Sequence, residues 1–280
     1  MTENPRTPAE WSAEHDGRLE AMISLAHAAA GSTLNFFNDR GLTVDRKGDA
    51  SPVTEADRNA ERLFRKQLAE QFADDAVLGE EFEEQSGASG YRWIGDPIDG
   101  TKSFICGVPL YSTLVGLQHD GEMIGGVIAI PALGESVVAA HGFGAWHRSG
   151  AQEPWQRAQV SSCNDLAQAT FVTSQVDTFA SRGAEPVYRQ LESAAYITRS
   201  WGDGYGYLLV ATGRAEVMVD PIVNAWDVGA ILPVVREAGG RFTDWKGDES
   251  IDGGDAFGTN GLLHQDVIHI LNAGKPVANR

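Results

Sequence analysis

Apolar residues recur every three or four positions in two long segments near the start of the chain, a spacing typical of amphipathic helices. The first predicted helix covers about residues 11–38. The second covers about residues 53–72, with Thr54 as its N-cap and Asp57 three positions later. A polar connection over residues 41–52 joins the two. The chain is therefore expected to begin with two helices.

Alternating and short continuous apolar runs in the middle of the chain predict an antiparallel meander. Its strands are expected at residues 91–94, 111–118, 123–130, 135–140 and 144–148. Residues 119–122 have the composition of a hairpin turn. A polar stretch near residues 151–158 then predicts a boundary between an N-terminal α+β lobe, residues 1–155, and a C-terminal α/β lobe, residues 156–280.

Strands and helices alternate in the second lobe, which predicts α/β layering. The expected strands are residues 169–173, 197–199, 215–219 and 241–244. The expected helices are residues 185–193, 205–212 and 227–238.

The composition is that of a globular protein with an acidic surface. The chain has 280 residues, is 42% hydrophobic and carries a formal net charge of −17. This acidity disfavours nucleic acids and anionic membranes as partners, because both attract positive charge. Cys106 and Cys163 lie far apart in unrelated contexts, which favours a reducing setting over a disulfide framework.

Neither a signal peptide nor a membrane span is expected. Residues 1–10 are polar and are predicted to form a loose tail. The most apolar stretch, residues 123–140, is interrupted by Pro131 and Glu135. A soluble cytoplasmic protein is therefore predicted.

The segment Asp96-Pro97-Ile98-Asp99-Gly100-Thr101 follows a predicted strand and concentrates possible metal ligands. Two carboxylates and the carbonyl of Ile98 are hard oxygen donors, the type that Mg²⁺ prefers. Gly100 permits close backbone approach, and a helical turn starting at Thr101 would direct free amides at a phosphate. The alternative is an aspartate-rich turn without function.

Each of the other acidic residues has a functional and a structural interpretation, and the structural one is favoured for Glu80, Glu81 and Asp57 when each is taken alone. Glu80 and Glu81 follow a short apolar run and could bind a metal, although paired glutamates are common on solvated surfaces. Asp57 and Asp227 each lie near a helix start, where a carboxylate also serves as a cap. Asp220 precedes a proline and could belong to a turn.

Taken together, these motifs resemble the inositol-monophosphatase-like superfamily over about residues 19–271. The matching segments, in order, are Val53-Thr54-Glu55-Ala56-Asp57, Gly79-Glu80-Glu81, Asp96-Pro97-Ile98-Asp99-Gly100-Thr101 and Trp226-Asp227-Val228-Gly229-Ala230. Residues 79–82, 100–109 and 199–203 are most similar to the bacterial histidinol-phosphate phosphatase branch. The resemblance implies a layered αβαβα sandwich with its active site between two lobes, and a possible homodimer.

The resemblance also implies a site that binds two or three Mg²⁺ ions. Glu80, Asp96 and the Ile98 carbonyl would hold the first ion. Asp96, Asp99 and Asp227 would hold the second, with Asp96 as the bridge. A third, weaker ion would lie on Glu80.

Roles in catalysis and substrate binding follow from the same resemblance. Glu80 and Thr101 would orient the attacking water, and Asp57 would form a hydrogen bond with Thr101. The amides of Gly100 and Thr101 would bind the phosphate. Substrate-selecting residues would be Arg199, Asp203 and Asp220, although Arg199 and Asp203 could instead form a local ion pair.

The expected substrate is a small phosphate monoester, with L-histidinol phosphate as the first hypothesis, because acids would attract its amine and imidazole. The alternatives are myo-inositol monophosphate, a 3′-phosphonucleotide, or a non-catalytic regulator that binds metal or phosphate on the same scaffold.

Overall fold

A computed structural model describes residues 7–39, 41–48 and 51–273. The tail predicted for residues 1–10 lies mostly outside these ranges. Within them, no helix has the length and apolar character that crossing a membrane requires.

The predicted meander is confirmed as part of a seven-stranded sheet whose strands follow one another in chain order. The strands are β3 Ala76–Gly79, β4 Tyr91–Asp99, β5 Ser112–His119, β6 Glu122–Ile130, β7 Glu135–Ala140, β8 Gly144–Arg148 and β9 Gln156–Arg157. β3 and β4 are parallel, and all other neighbours are antiparallel. β4 is longer than the predicted strand, and its additional residues carry Asp96 and Asp99.

Two helices cover one face of this sheet, α1 Arg18–Thr33 and α2 Glu55–Gln71. Apolar residues of both helices pack against β4, β5 and β6 in one buried cluster. The predicted start of α2 is confirmed, because Thr54 and Asp57 form a capping box. The first predicted helix was too long, since Gly17 has φ +82° just before α1 and Thr33 ends it.

The polar connection predicted between these helices contains a short hairpin. Its strands are β1 Val44–Arg46 and β2 Pro52–Thr54, which pair antiparallel. The exposed residues of β1 give no apolar alternation, so the sequence pattern did not indicate a strand.

A central helical layer lies between the first sheet and a second one. It contains α6 Gly204–Ala211, α7 Ala225–Val228 and α8 Ile231–Glu237, and both α6 and α8 contact strands of the two sheets. The single helix predicted over residues 227–238 is therefore wrong. Pro233 has no backbone N–H to bond the carbonyl of Gly229 four residues earlier, which favours a break at this point.

The second sheet has five strands in the order β11-β10-β12-β14-β13. They are β10 Thr170–Val172, β11 Ile197–Arg199, β12 Val217–Asp220, β13 Arg241–Thr243 and β14 Ala256–Thr259. The first three are parallel, and β14 is antiparallel to β12 and β13. All except β14 were predicted.

Further helices cover the outer face of the second sheet. They are α4 Asp177–Ser181, α5 Glu185–Ala194 and α9 His264–Asn272, and their apolar residues form a third cluster with β10, β12 and β14. With α3 Thr101–Ile105 after β4, these elements complete the α-helices of the described ranges, and short 3-10 helices cover Pro8–Glu10, Glu14–Gly17, Pro131–Leu133 and Leu166–Gln168. The predicted αβαβα layering is confirmed, whereas the lobe boundary at residues 155 and 156 stays a prediction.

Gly126 of β6 allows the central helical layer to approach the first sheet closely. A Cβ atom at this position would overlap the carbonyl oxygen of Ala230. We expect Gly126→Ala to lower the free energy of unfolding by about 2 kcal/mol, because the backbone oxygen cannot rotate away. Gly31→Ala is the control, since its Cβ would meet nothing within 4 Å and should stabilise α1 by about 0.5 kcal/mol. Urea unfolding measures both, and equal effects would contradict the packing argument.

A buried carboxylate cluster as candidate active site

The end of β4 holds Asp96 and Asp99 in fixed positions. The pairing with β5 is irregular between these two residues, so the strand departs from regular alternation there. The side chain of Asp96 accepts a hydrogen bond from the Ile98 amide at 3.1 Å. The Pro97 carbonyl accepts one from Thr113 at 2.7 Å. Both aspartates are buried, with 4% and 7% exposure.

Asp227 of α7 joins the two aspartates from the other half of the chain. Carboxylate oxygens of Asp96, Asp99 and Asp227 all lie within 4.8 Å of one another. Asp227 is not the N-cap of α7, as the structural interpretation proposed, because Asn224 has that position and Asp227 follows three residues later. Asp227 completes the capping box by accepting a hydrogen bond from the Asn224 amide at 2.7 Å, and it is also a member of the carboxylate cluster.

The electrostatics of this cluster favour a bound cation. Burial, followed by the charges of neighbouring acids, raises the pKa of Asp96 and of Asp99 well above the ordinary value. Burial likewise raises the pKa of Asp227 to about 7. Two buried carboxylates and the half-buried Asp227 repel one another when ionised, and a divalent cation would neutralise that repulsion. Since all donors are hard oxygens, the residues fit Mg²⁺.

Asp99 also connects the cluster to α6. Its Oδ2 atom accepts hydrogen bonds from the Ser112 hydroxyl and from the Gly204 amide, the latter at 2.6 Å. The first residue of α6 therefore lies against the end of β4, so the central helical layer contacts the cluster.

Glu80 directly follows β3 and forms an ion pair with a lysine that the sequence analysis did not assign to the site. Nζ of Lys47 lies 2.7 Å from Glu80 and 2.6 Å from Glu81. Burial opposes the charge of Lys47, but its hydrogen bonds to the two glutamates raise its pKa. Lys47 follows β1. The hairpin that positions it lies within residues 41–52, which were predicted only as a polar connection.

Gly100 and Thr101 form the turn between β4 and α3. Gly100 has φ +83°, a conformation that other residues rarely adopt. The Thr101 hydroxyl lies 3.3 Å from Oδ1 of Asp57 and 3.4 Å from the Ile98 carbonyl, and can donate to either. Burial raises the pKa of Asp57.

A cavity of about 360 Å³ extends from the cluster to the second sheet. Asp203 and Asp220 also line it, together with Ser174 and Tyr207, which sequence reasoning missed. Oδ1 of Asp220 accepts a hydrogen bond from the Ser174 amide at 3.2 Å. Burial raises the pKa of Asp220 to about 7. Asp203 lies beside the turn after β4, because a Cβ added at Gly100 would overlap its Oδ2 atom.

Arg199 takes a different position from the other predicted substrate-binding residues. It is exposed at the end of β11, and its guanidinium lies 5.9 Å from the ring centre of Trp201. It donates a hydrogen bond to the Thr198 carbonyl at 2.7 Å. Within the described part of the chain, the side chains that line the cavity do not include Arg199.

Fold and site together define a five-layered α/β protein with a buried site suited to a divalent cation. Residues 16–273 match the model of the inositol monophosphatase family. The chain belongs to this family.

Named relatives and solved structures agree with this assignment. The chain is 42% identical to a histidinol-phosphatase of Chlorobaculum parvum, over 92% of this chain and 97% of that protein. It is 40% identical to a histidinol-phosphatase of Mycobacterium tuberculosis, over 93% and 99%. The structure of an inositol monophosphatase from Thermotoga maritima covers 91% of this chain and 97% of its own, with 29% identity and a TM-score of 0.81.

Proposed function

We propose that the protein is a Mg²⁺-dependent phosphatase that hydrolyses L-histidinol phosphate to L-histidinol and phosphate, a step of histidine synthesis. The observation that carries the proposal is a single cavity lined by the carboxylate cluster together with Asp203 and Asp220. Relatives named histidinol-phosphatase, at 35–42% identity over most of the chain, support the same substrate.

The carboxylate cluster is the proposed Mg²⁺ site. Asp96, Asp99 and Asp227 would hold one ion, and Glu80, Asp96 and the Ile98 carbonyl another, with room for a third on Glu80. Bound Mg²⁺ supplies positive charge that offsets the charge of the phosphoryl group and of the leaving oxygen. Lys47 competes for Glu80, so we infer that it moves aside when this glutamate binds a metal.

The protein's own groups prepare the attacking water and the phosphate. The Thr101 hydroxyl donates a hydrogen bond to Asp57, which leaves the threonine oxygen free to accept a hydrogen bond from water. Glu80 lines the same cavity and accepts a second hydrogen bond from that water. The amides of Gly100 and Thr101 bind the phosphate oxygens. A water held between two acceptors directs a lone pair at phosphorus.

Asp203 and Asp220 are proposed to select the leaving alcohol. L-Histidinol carries an ammonium group and an imidazole, which Asp203 and Asp220 attract and hydrogen-bond. Arg199 is not part of this proposal, because its side chain lies against Trp201. Cytoplasmic location and a homodimer remain predictions from the sequence.

The test is phosphate release in Mg²⁺ from L-histidinol phosphate, myo-inositol 1-phosphate and 3′-phosphoadenosine 5′-phosphate. We expect kcat/KM for histidinol phosphate to exceed that for either alternative by about a hundredfold or more, because only this substrate offers cations to the acids. EDTA should abolish the activity. A preference for the inositol phosphate would reject histidinol phosphate as the substrate, and phosphate binding without turnover would indicate a regulator.

A further inference from the structure

The cavity of the candidate active site is lined by several acids and one basic side chain. The carboxylates that line it are those of Glu80, Asp96, Asp99, Asp203, Asp220 and Asp227. Among the described residues that line it, Lys102 of α3 is the only lysine, arginine or histidine. A phosphate monoester carries about two negative charges at pH 7, and nearby carboxylates repel it. A fixed positive charge in this cavity therefore favours the binding of phosphate.

Lys102 belongs to the segment that is proposed to bind the phosphate. It directly follows Thr101, and Gly100, Thr101 and Lys102 all line the cavity. Because Lys102 is exposed, its ammonium group lies where the cavity opens to solvent. Burial raises the pKa of Asp203, and the positive charge of Lys102 acts against this rise, as expected for an ammonium group close to the cavity.

Gln175 holds the ammonium group of Lys102 from the second sheet. Gln175 lies three residues after β10, lines the cavity and accepts a hydrogen bond from Nζ of Lys102 through its side-chain carbonyl. The chain around Gln175 is fixed. The Ser174 amide donates to Asp220 at 3.2 Å, and the Thr178 hydroxyl donates to the Gln175 carbonyl at 2.6 Å. The contact therefore joins α3 to the segment after β10.

This contact leaves the charge of Lys102 available for a ligand. Gln175 is a neutral partner, and it accepts one of the three N–H donors of the ammonium group. Lys47 differs in this respect, because Glu80 and Glu81 pair with it and compensate its charge. Lys102 thus combines a held position with a charge that its hydrogen-bond partner does not neutralise.

We propose that Lys102 is a phosphate-binding residue, whose ammonium group donates a hydrogen bond to a phosphate oxygen of the substrate while Gln175 holds it at the cavity. This inference rests on the proposed phosphatase function. A hydrogen bond from an ammonium group to a phosphate oxygen is charge-assisted, and it is stronger than one between neutral groups. Lys102 acts on the phosphate and not on the leaving alcohol, so its contribution extends to inorganic phosphate.

The experiment compares wild type with Lys102→Gln by isothermal titration calorimetry in Mg²⁺, with inorganic phosphate and with L-histidinol as separate ligands. We expect the Kd for phosphate to rise about tenfold, because one charge-assisted hydrogen bond is lost. The Kd for L-histidinol should stay equal or fall, since this cation gains nothing from Lys102. The KM for L-histidinol phosphate should rise about tenfold as well. Lys102→Arg keeps the charge and should recover most of the phosphate affinity.

Lys66→Gln is the matched control. Lys66 lies on α2, its side chain is 74% exposed, and it pairs with Glu70 at 3.9 Å. This variant should keep the wild-type Kd for phosphate. An unchanged Kd for phosphate in Lys102→Gln, or an equal loss of affinity for both ligands, would overturn the inference. A lower Tm with unchanged phosphate binding would assign a structural role to the contact with Gln175.

The calorimetry also separates this inference from the proposed function. Phosphate binding that depends on Lys102, without turnover of L-histidinol phosphate by wild type, would overturn the proposed function and keep the inference. A wild-type protein that does not bind phosphate in Mg²⁺ would overturn both.

Discussion

Asp96→Asn is expected to lower kcat for phosphate release by about a thousandfold or more, while the protein stays folded. Asp96 is the residue that both proposed Mg²⁺ positions share. Its replacement removes one negative charge and presents an amide that can turn an N–H towards the cation. This change is expected to cost several kcal/mol of transition-state stabilisation, and each ~1.4 kcal/mol lowers the rate about tenfold.

The same variant should be at least as stable as wild type in EDTA. The charges of Glu80 and Asp99 oppose the ionisation of Asp96, and burial opposes it further. Asparagine has no charge to bury, so the Tm should rise or stay equal. Single-turnover kinetics and differential scanning calorimetry measure the two effects.

Asp75→Asn is the control for a buried aspartate with a structural role. The side chain of Asp75 pairs with Arg18 at 2.8 Å and accepts hydrogen bonds from Ser89 and Trp93. Although burial opposes its charge, these partners lower its pKa. This variant should lose stability and keep its kcat. Near-normal turnover in Asp96→Asn, or a fall in Tm as large as that of Asp75→Asn, would reject the assignment of Asp96.

The elements that could be predicted from the sequence have a long apolar segment or a clear signal, such as a turn or a helix cap, at their ends. The strands β5 to β8 are mostly apolar runs of five to nine residues separated by turns, so their order and antiparallel pairing followed directly. The start of α2 was predicted because Thr54 and Asp57 have the spacing of a capping box.

Short strands and helix breaks were beyond the same reasoning. β1 and β14 have three and four residues, and each is defined by pairing with a partner elsewhere in the chain. The break between α7 and α8 depends on Pro233 within an otherwise apolar helical run. The spacing of apolar residues within a segment reveals neither its pairing with a distant strand nor the helical hydrogen bond that a proline cannot form.

The candidate site likewise contains residues that the sequence predicted to be close together and residues that only the fold brings together. Asp96, Asp99 and Thr101 belong to one short segment, so their proximity could be predicted from the sequence. Asp227 was connected to them by family resemblance, and the structure places its carboxylate among theirs. Lys47 was unexpected, since only the folded hairpin brings it to Glu80.

The Tm of EDTA-treated protein is expected to fall as the pH rises from about 6.5 to about 8, and Mg²⁺ should reverse the fall. A carboxyl group with a higher pKa in the folded chain stabilises the fold fully below its unfolded value. That stabilisation is lost as the pH rises through the folded value. Burial raises the pKa of Asp220 and of Asp227 to about 7, and it raises that of Asp96 well above its ordinary value of 3.8. At a concentration of about 100 times its Kd, Mg²⁺ should raise the free energy of unfolding by about 2.7 kcal/mol and the Tm by roughly 5–10 °C.

Buried histidines act in the opposite direction, which determines the pH range of this test. Burial lowers the pKa of His27 to about 4 and that of His264 to about 3, from 6.5. Each therefore adds stability as the pH rises to its unfolded value, and adds little above about pH 7. Asp96→Asn is the matched variant, because it removes one of the repelling charges and should show a smaller fall in Tm. Identical pH profiles for both proteins, or an equal effect of Mg²⁺ at both pH values, would show that the cluster does not control this stability.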